Sequence, residues 1–378
     1  MAVISFTYQT ELVERFVNFG FELYKEDSNW IPPFKKSIYI QLSKEYPFYQ
    51  NSANHHKHFL SITNGKVIGR ISAFINHKLK SKDGKQIGSI GFFECIDDYS
   101  VADELFSHAV SWLNDDKGID IVWGPMNFDI WHNYRLMTRG FEQKQFTGEP
   151  YNKPYYESFF IRYGFKQKQQ WHSVEVIGRE NIEKMIARSE DSYNRLIKKA
   201  YHFEAINLKY FKRELSKLYQ LLTESFSGFF GFTPISREMF YKIFLPYRRA
   251  FHPELFTFAY NEGSTLSGFA GAFLDISNGL RAMNGQNNIM AKLRFFKQSR
   301  STDRVIFSLG GTTMQERLNR TGLGRAGFYY IMRKILNLGY EKVVIALMAE
   351  GNSVRGLLGK DMALAQRQYT LFEINKDE

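Results

Sequence analysis

The alternation of hydrophobic and polar residues divides the chain into two runs of predicted elements that follow the same order. The stretch FLSITNGKVIGRISAFIN (59–76) has two strand-like halves around Asn64-Gly65, a pair typical of a tight hairpin. The stretch FTFAYNEGSTLSGFAGAFLD (256–275) has the same plan around Glu262-Gly263. A third strand-like run follows each hairpin, at 87–97 and at 304–311. The pattern therefore predicts two similar sets of three strands.

Each third strand is followed by a predicted helix and one more strand. Apolar residues at helical spacing predict helices over 100–118 and 323–339. Both segments end at a glycine, as is typical of a helix C-cap. Apolar strands come next, at 119–124 and 342–348. The order strand, strand, strand, helix, strand thus occurs twice.

This repetition predicts two domains, 1–185 and 186–378, that meet near the polar stretch 180–195. A chain of 378 residues is also too long for one ordinary hydrophobic core. The second copy has an additional segment at about 279–303, first polar and then basic, for which the first copy has no counterpart.

The two predicted helices begin differently. The first begins with Ser100-Val-Ala-Asp103, which indicates a capping box that satisfies the free backbone N–H groups. The second begins with Arg320-Thr-Gly-Leu-Gly-Arg325, where glycines allow close approach and Arg317 adds a further positive charge. Only the second helix start is therefore predicted to hold a phosphate group.

Composition narrows the classes of function. The net charge of +11 fits a solvated surface, an anionic ligand or nucleic acid, and does not choose among them. The single cysteine, Cys95, excludes an internal disulfide bond. Neither a signal peptide nor a membrane span is indicated, so a cytoplasmic location is predicted.

A dinucleotide site is one alternative for the glycine-rich stretch, because Gly322-Leu-Gly324-Arg-Ala-Gly327 is literally GxGxxG. That fold needs the first glycine directly after a strand, whereas the preceding strand is predicted to end near Gly311. Glu350, at the end of the next strand, keeps this alternative open. GxxxxGK[ST] does not occur in the sequence, which gives no support to a P-loop nucleotide triphosphatase.

The segment Asn319-Arg-Thr-Gly322-Leu-Gly324 resembles the Q/R-x-x-G-x-G/A pattern of the GCN5-related N-acetyltransferase (GNAT) superfamily, with Asn at the first position. The stretch 151–167 resembles that family's closing element through Asn152, Gly164 and Phe165. Together with FFECIDD, GPMNF and EPYNKPYY, these features resemble an uncharacterised group of tandem GNAT-like bacterial proteins.

The resemblance implies an α/β (α+β) fold with tandem acyl-CoA N-acyltransferase-like domains, each a mixed central sheet flanked by helices. The C-terminal domain is expected to bind acetyl-CoA or another acyl-CoA, and the N-terminal domain to lack its own CoA loop. The implied cofactor-binding residues are Phe307, Ser308, Leu309, Arg320, Thr321, Gly322, Leu323, Gly324, Arg325 and Asn352.

The expected reaction is acyl transfer to a small amine. Glu350 is the candidate base, and it is about equally typical of a surface carboxylate. The family commonly has a tyrosine acid where this chain has Gly359, so Tyr369 is the candidate replacement. Two alternatives stay open: an aminoacyl-tRNA-dependent transferase, the only one that involves nucleic acid, and a non-catalytic CoA-binding protein. The oligomeric state is left open.

Other groups have a structural explanation beside the functional one. Glu94 and Asp97 could reach a cleft or cap a helix, and Cys95 is interpreted as a buried, inert thiol. The cluster His55, His56 and His58 has spacing that could serve a metal, but no acidic or cysteine partner is evident. We interpret it as a polar loop before a strand and expect no metal. The segment 128–148 could cover a substrate or be a surface loop.

Overall fold

A computed structural model of the chain describes residues 1–299, 302–351, 353–358 and 365–376. The strands are β1 Ala2–Phe6, β2 His55–Thr63, β3 Lys66–Lys80, β4 Gln86–Cys95, β5 Ile121–Gly124, β6 Leu136–Arg139, β7 Lys166–Ile177, β8 His202–Ala205, β9 Phe256–Tyr260, β10 Leu266–Leu274, β11 Arg304–Thr312, β12 Lys342–Ala349 and β13 Ala365–Asn375. The helices are α1 Thr10–Leu23, α2 Lys35–Gln41, α3 Tyr99–Asn114, α4 Tyr156–Tyr163, α5 Arg179–Lys198, α6 Phe211–Phe226, α7 Arg237–Phe244, α8 Ser277–Met283, α9 Ile289–Ser299, α10 Met314–Leu318 and α11 Leu323–Asn337.

The chain forms two compact units that are not contiguous in sequence. Unit 1 consists of Met1–Gln170, Ile276–Arg300 and Gln368–Glu378, and unit 2 consists of Trp171–Asp275 and Ser301–Arg367. The C-terminal strand β13 pairs with β5, which places it in unit 1, and the second part of β7 pairs with β12 in unit 2. The division into 1–185 and 186–378 remains a prediction from the sequence.

The sheet of unit 1 has the strand order β1-β2-β3-β4-β5-β13, and β6 also pairs with β13. Adjacent strands of this sheet run antiparallel, except for the parallel pair β4–β5. One face packs against α3 and α4 through a core that includes Phe106, Leu105 and Phe160. The other face has a smaller core, with Phe16 and Leu60 at its centre.

The sheet of unit 2 has the order β7-β12-β11-β10-β9-β8, and its one parallel pair is β11–β12 in the described residues. Residues of α5 and α11 pack on one face of this sheet, with Ile186 and Ile331 among the buried side chains. Each parallel pair is joined by a segment that contains a helix, as a parallel connection requires. In unit 2, the parallel pair β11–β12 and the helix α11 that connects its two strands position the candidate site.

The short-range predictions agree with these elements. Asn64 and Gly65 have φ values of 50° and 74°, so both occupy the left-handed region that a tight hairpin needs. Gly118 and Gly339 have φ values of 68° and 85°, and the helices before them end a few residues earlier, at Asn114 and Asn337. Within the described residues, no helix has both the length and the apolar character needed to cross a bilayer.

Candidate functional site

The parallel strands β11 and β12 are paired over only part of their length. Their ladder runs from Arg304 opposite Lys342 to Phe307 opposite Ile345. Beyond that point β11 remains paired with β10 and β12 remains paired with β7. We call the space between the two unpaired halves the β11–β12 gap. Ser308 is exposed there although its strand lies inside the sheet.

Helix α11 comes after β11 in the sequence, and some backbone N–H groups at its start are free donors. Gly322 is the N-cap with a φ of 86°, and it makes no side-chain capping bond. Thr321 Oγ1 accepts the Leu323 N–H at 3.3 Å, and Gly322 O accepts the Ala326 N–H at 3.0 Å. In the described part of the chain, the N–H groups of Gly322, Gly324 and Arg325 have no acceptor. Donors at a helix N-terminus favour an anion.

Positive side chains surround this helix start. Arg195 of α5 donates from Nη2 to Thr321 O at 2.9 Å, and a Cβ on Gly322 would lie 3.0 Å from the same nitrogen. Arg320 and Arg325 are exposed. Arg317 donates from Nη1 to Ser225 O at 2.9 Å, while its buried Nε and Nη2 lack partners among the described residues. The residues therefore fit a diphosphate.

Gly324 keeps the surface of the helix start open. A Cβ added to it would meet nothing closer than Thr312 Cγ2 at 4.0 Å, and its φ is not positive. The other predicted contacts divide between surface and core. Phe307 is buried against the Phe328 ring, with 5.1 Å between ring centroids, and Leu323 is also buried. Their contribution to a ligand would therefore come through the backbone.

A buried carboxylate, which the sequence analysis did not identify, supports the loop from below. Glu316 of α10 accepts the hydroxyl proton of Thr321 at 2.6 Å and that of Tyr201 at 3.2 Å. These bonds hold the loop in shape before any ligand arrives. The only local signal was a glutamate five residues before a threonine, which is too common to be informative.

The predicted catalytic residues lie in different environments. Glu350 is exposed in the turn directly after β12. Tyr369 lies on β13 in unit 1, is fully buried and donates its hydroxyl proton to Glu149. Asn352 and position 359 lie outside the described residues. The roles of Glu350 and Tyr369 remain predictions.

His172 is a candidate base that the sequence analysis missed. It lies on β7 opposite Met348, at the end of β12, and it is partly buried. Burial lowers the pKa of His172, the Arg355 cation lowers it further, and the Glu350 carboxylate raises it. The imidazole is therefore neutral near neutral pH and able to accept a proton. Only the strand register, which local sequence does not reveal, brings His172 to this position.

The corresponding start of α3 in unit 1 is closed by side chains. The N-cap is Asp98 rather than Ser100, and its Oδ1 accepts the Ser100 N–H at 2.9 Å. Asp103 does not complete a capping box; it accepts the Tyr99 hydroxyl proton at 2.9 Å. The predicted capping box was therefore wrong in detail, because the helix begins one residue earlier, at Tyr99, and an acidic residue lies at the position before it.

The space between β4 and β5 is also filled. Their parallel ladder ends at Ser89 opposite Trp123, after which Met126 donates its N–H to Ile90 O at 2.7 Å. Asn127 Oδ1 accepts the Phe92 N–H at 2.8 Å. A chain segment thus occupies the space whose counterpart in unit 2, the β11–β12 gap, has no such segment among the described residues.

Glu94 and Cys95 belong to a buried network on β4. Glu94 Oε2 accepts the hydroxyl protons of Tyr24 at 2.8 Å and Tyr156 at 2.7 Å, and Arg70 lies 3.8 Å from the other oxygen. Burial raises the pKa of Glu94, against the lowering effect of Arg70. Burial also raises the pKa of Cys95, which is a free, buried thiol as interpreted from the sequence.

The histidine cluster lies in strand β2, so the prediction of a loop before the strand was wrong. His58 is buried beside Ser72, with 2.7 Å between Nδ1 and Oγ, and the edge strand β1 covers this part of β2. Burial, with the neighbouring His55, lowers the pKa of His56 to about 4. In the described residues, no group of three or more His, Cys, Asp and Glu side chains could hold a metal ion.

The segment 128–148 is neither an open loop nor a free lid. Phe128 and Phe146 are buried, and Leu136 and Met137 belong to strand β6. Asp129 Oδ1 lies 2.6 Å from His132 Nδ1, and His132 Nε2 lies 2.6 Å from the Tyr46 hydroxyl. This segment is part of the structure of unit 1.

Comparisons with known proteins identify the fold. A tandem GNAT protein from the clavulanic acid biosynthesis pathway matches with a TM-score of 0.51 at 10% identity, over 99% of this chain and 98% of that one. A probable N-acyltransferase from Enterococcus faecalis V583 matches with a TM-score of 0.52 at 8% identity, over 99% of this chain and 73% of that one. The chain has a GNAT-superfamily fold in tandem, and the predicted fold class is confirmed.

Two curated relatives match part of the chain. Protein YghO of Escherichia coli (strain K12) is 24% identical over 238 residues, which are 60% of this chain and 57% of that protein. The bacterial ceramide synthase of Caulobacter vibrioides is 25% identical over 236 residues, 62% of this chain and 60% of that protein. The chain thus spans about three fifths of the length of these relatives. No family model matches the chain.

Proposed function

We propose that the protein is an acyl-CoA-dependent N-acyltransferase whose CoA site is the β11–β12 gap with the start of α11. The observation that carries this proposal is that two parallel strands part next to a glycine-rich helix start whose N-cap, Gly322, has no side chain. An acyl-CoA ligand needs both features. Its diphosphate requires fixed hydrogen-bond donors, and its long pantetheine arm requires a path between strands.

The diphosphate would be held by the N–H groups of Gly322, Gly324 and Arg325, with the guanidinium groups of Arg317 and Arg320 adding charge. The exposed segment at Ser308 would run beside the arm of the thioester. The end of β12 would then lie beside the reacting carbonyl. Most of the rate enhancement would come from holding the two reactants together.

His172 is our candidate for the proton acceptor. The amine nitrogen attacks the thioester carbonyl carbon, His172 takes the proton that the nitrogen loses, and the carbon–sulfur bond breaks. The proton on His172 can then return to the thiolate, so that amide and free CoA thiol are the products. Glu350 would favour the protonated imidazole, since its carboxylate raises the pKa of His172.

For the acceptor, we propose an amine at the head of a long hydrocarbon chain. A ceramide is the N-acyl derivative of such an amine, and one relative is named a bacterial ceramide synthase. In unit 2, Met314 and Leu318 of α10 are exposed just before the glycine-rich stretch, and Phe229 is exposed just after α6. Exposed apolar residues of this size suit a lipid-like ligand better than a small polar amine.

The test uses the full chain and two variants that each add one carboxylate. Gly324→Glu places it on the helix start without a steric clash, and Ser52→Glu places it at an exposed position of unit 1. We expect acyl-CoA to raise the melting temperature of the wild type and of Ser52→Glu by mass action. Gly324→Glu should weaken acyl-CoA binding by about a hundredfold, because two charge-assisted contacts are replaced by repulsion.

Turnover is then measured as CoA thiol release and amide formation with long-chain amino alcohols and short amines. Equal loss of acyl-CoA binding in both variants, or none in either, would contradict the assigned site. CoA binding without turnover on any amine supports the non-catalytic alternative. The tRNA alternative would require salt-sensitive retention of RNA together with no response to CoA.

A further inference from the structure

Helix α9 exposes a stripe of large apolar side chains. The exposed fractions are 76% for Ile289, 62% for Met290, 58% for Leu293 and 48% for Phe296. Ile289, Leu293 and Phe296 are four and three residues apart, so they form one stripe along the helix. Exposed apolar residues that are grouped in this way, rather than scattered, indicate an interaction surface.

The opposite side of α9 already has its packing partner. Ala291 is fully buried, and Phe295 lies so close to α8 that a Cβ on Gly279 would come within 2.7 Å of its ring. Asn288 Oδ1 accepts the Ala291 N–H at 2.9 Å, which fixes the start of the helix. The exposed stripe is therefore additional to the face that α9 uses for folding.

The α8–α9 segment is also held in a defined place within unit 1. Arg281 of α8 donates from Nη2 to Asn29 O at 3.2 Å, and the Lys35 N–H donates to Gly285 O at 3.1 Å. Asn284 to Asn288 line an open cleft of about 1120 Å³, together with Phe21 and Trp30. The stripe thus lies next to a concave part of the surface.

The charge of this segment is entirely positive. Residues 276–302 include five basic residues and no aspartate or glutamate. Lys292 and Lys297 are exposed on the two sides of the apolar stripe, and Arg294 is exposed, with its Nε bonded to Ala282 O at 2.9 Å. An apolar stripe flanked by cations complements a surface that is apolar inside and anionic outside.

We propose that α9 docks on an anionic lipid bilayer, with Ile289, Leu293 and Phe296 inserted below the headgroups and Lys292 and Lys297 at the phosphates. A second copy of the chain is a poorer occupant, because pairing two such stripes would bring their cations together. This inference does not depend on acyl transfer.

The test measures cosedimentation of the full chain with vesicles. We expect binding to phosphatidylglycerol mixed into phosphatidylcholine, and much weaker binding to phosphatidylcholine alone. The double variant Leu293→Ser/Phe296→Ser should lower the partition coefficient by at least about tenfold. The matched control Ile161→Ser/Ile197→Ser removes two exposed isoleucines from other helices and should bind like the wild type.

Lys292→Gln/Lys297→Gln should weaken binding to the anionic vesicles and reduce its dependence on salt. The proposal is overturned if the wild type does not bind vesicles, or if Leu293→Ser/Phe296→Ser binds as the wild type does. It is also overturned if light scattering shows a dimer of the wild type that Leu293→Ser/Phe296→Ser abolishes while the binding of that variant to vesicles is unchanged. Melting temperatures confirm that each variant is folded.

Discussion

The molecule contains the same local arrangement twice, and the two copies differ at the place where a ligand would bind. In unit 1 the strands β4 and β5 part after Ser89 and Trp123, and in unit 2 the strands β11 and β12 part after Phe307 and Ile345. A helix, α3 or α11, connects the two strands in each case. Among the described residues, a chain segment fills the space between the strands in the first copy and not in the second.

The two units differ in the side chains at two positions of this arrangement. In unit 1 the carboxylate of Asp98 accepts the Ser100 N–H at the helix start, and Asn127 Oδ1 accepts the Phe92 N–H where the strands part. In unit 2 the N-cap is Gly322, which has no side chain, and the neutral Thr321 hydroxyl accepts only the Leu323 N–H, at 3.3 Å. Both units therefore have a helix start next to two parting strands, an arrangement that can bind an anion. A few side chains of the protein decide whether that position is already occupied.

A third difference concerns proton transfer. In unit 2, His172 lies on the strand beside β12, two residues before the last position of the regular ladder, Val174. The same step along β13 in unit 1, counted from Glu373 opposite Trp123, leads to Leu371, which is fully buried and has no group that could accept a proton. Unit 1 therefore lacks a counterpart of the proposed acceptor as well as of the β11–β12 gap.

The largest expected effect comes from removing this acceptor. We expect His172→Gln to lower kcat by about a hundredfold, as is typical for loss of a general base, with acyl-CoA binding unchanged. Because burial lowers the pKa of His172 below its usual 6.5, the wild-type rate should fall as the pH drops through that lowered value. The variant should lose this acidic limb of the pH profile.

His108→Gln is the matched control, since His108 is exposed on α3, and it should keep both kcat and the acidic limb. Rates are measured as CoA release at saturating acyl-CoA between pH 5 and pH 8, a window that spans the usual histidine pKa of about 6.5. If His172→Gln retains the acidic limb, another group accepts the proton, and Glu350 becomes the first candidate.

The next effect, on stability, tests whether the filled space in unit 1 is structural. Asn127→Leu removes the acceptor of the Phe92 N–H, and Phe92 has a φ of 48° that this bond helps to hold. We expect the free energy of unfolding to fall by about 2 kcal/mol, because a partly buried donor is left unsatisfied. Denaturant unfolding of the full chain measures the change.

Asn337→Leu makes the same exchange at an exposed position in the last turn of α11, and it should change stability by less than about 0.5 kcal/mol. Equal destabilisation by the two variants would show that the Asn127 amide has no special role. Acyl-CoA binding should be retained by both, because neither change touches the β11–β12 gap.

The parts of this comparison that follow from the sequence are the local ones. The hairpin at Asn64-Gly65 and the contrast between an acid-capped and a glycine-rich helix start depend on neighbouring residues, whose conformational preferences are strong. The choice of Ser100 as the cap was wrong by two positions, since the sequence DDYS has more than one residue able to cap. Boundaries of this kind depend on packing as well as preference.

The remaining features depend on pairing between distant segments. The position of His172 opposite Met348 and the pairing of β13 with β5 join residues far apart in the chain. The bond between Asn127 and Phe92 likewise needs the two strands to part first. Such registers are set by the burial of whole strands. A single sequence shows which residues of a strand alternate between apolar and polar, but it does not show which other strand pairs with it.

The smallest effect concerns the acid cap itself. We expect Asp98→Ala to cost about 1 kcal/mol of stability, since the Ser100 N–H loses its acceptor at the start of α3. It should not create a CoA site, because Asn127 and Met126 still occupy the space between β4 and β5. The double variant Asp98→Ala/Gly324→Glu isolates this question, since its site in unit 2 is blocked. A melting temperature that does not respond to acyl-CoA would show that freeing a helix start is insufficient without an opening between the strands. A clear rise would instead mean that the carboxylate alone keeps unit 1 from binding the ligand, and that the filled space is secondary.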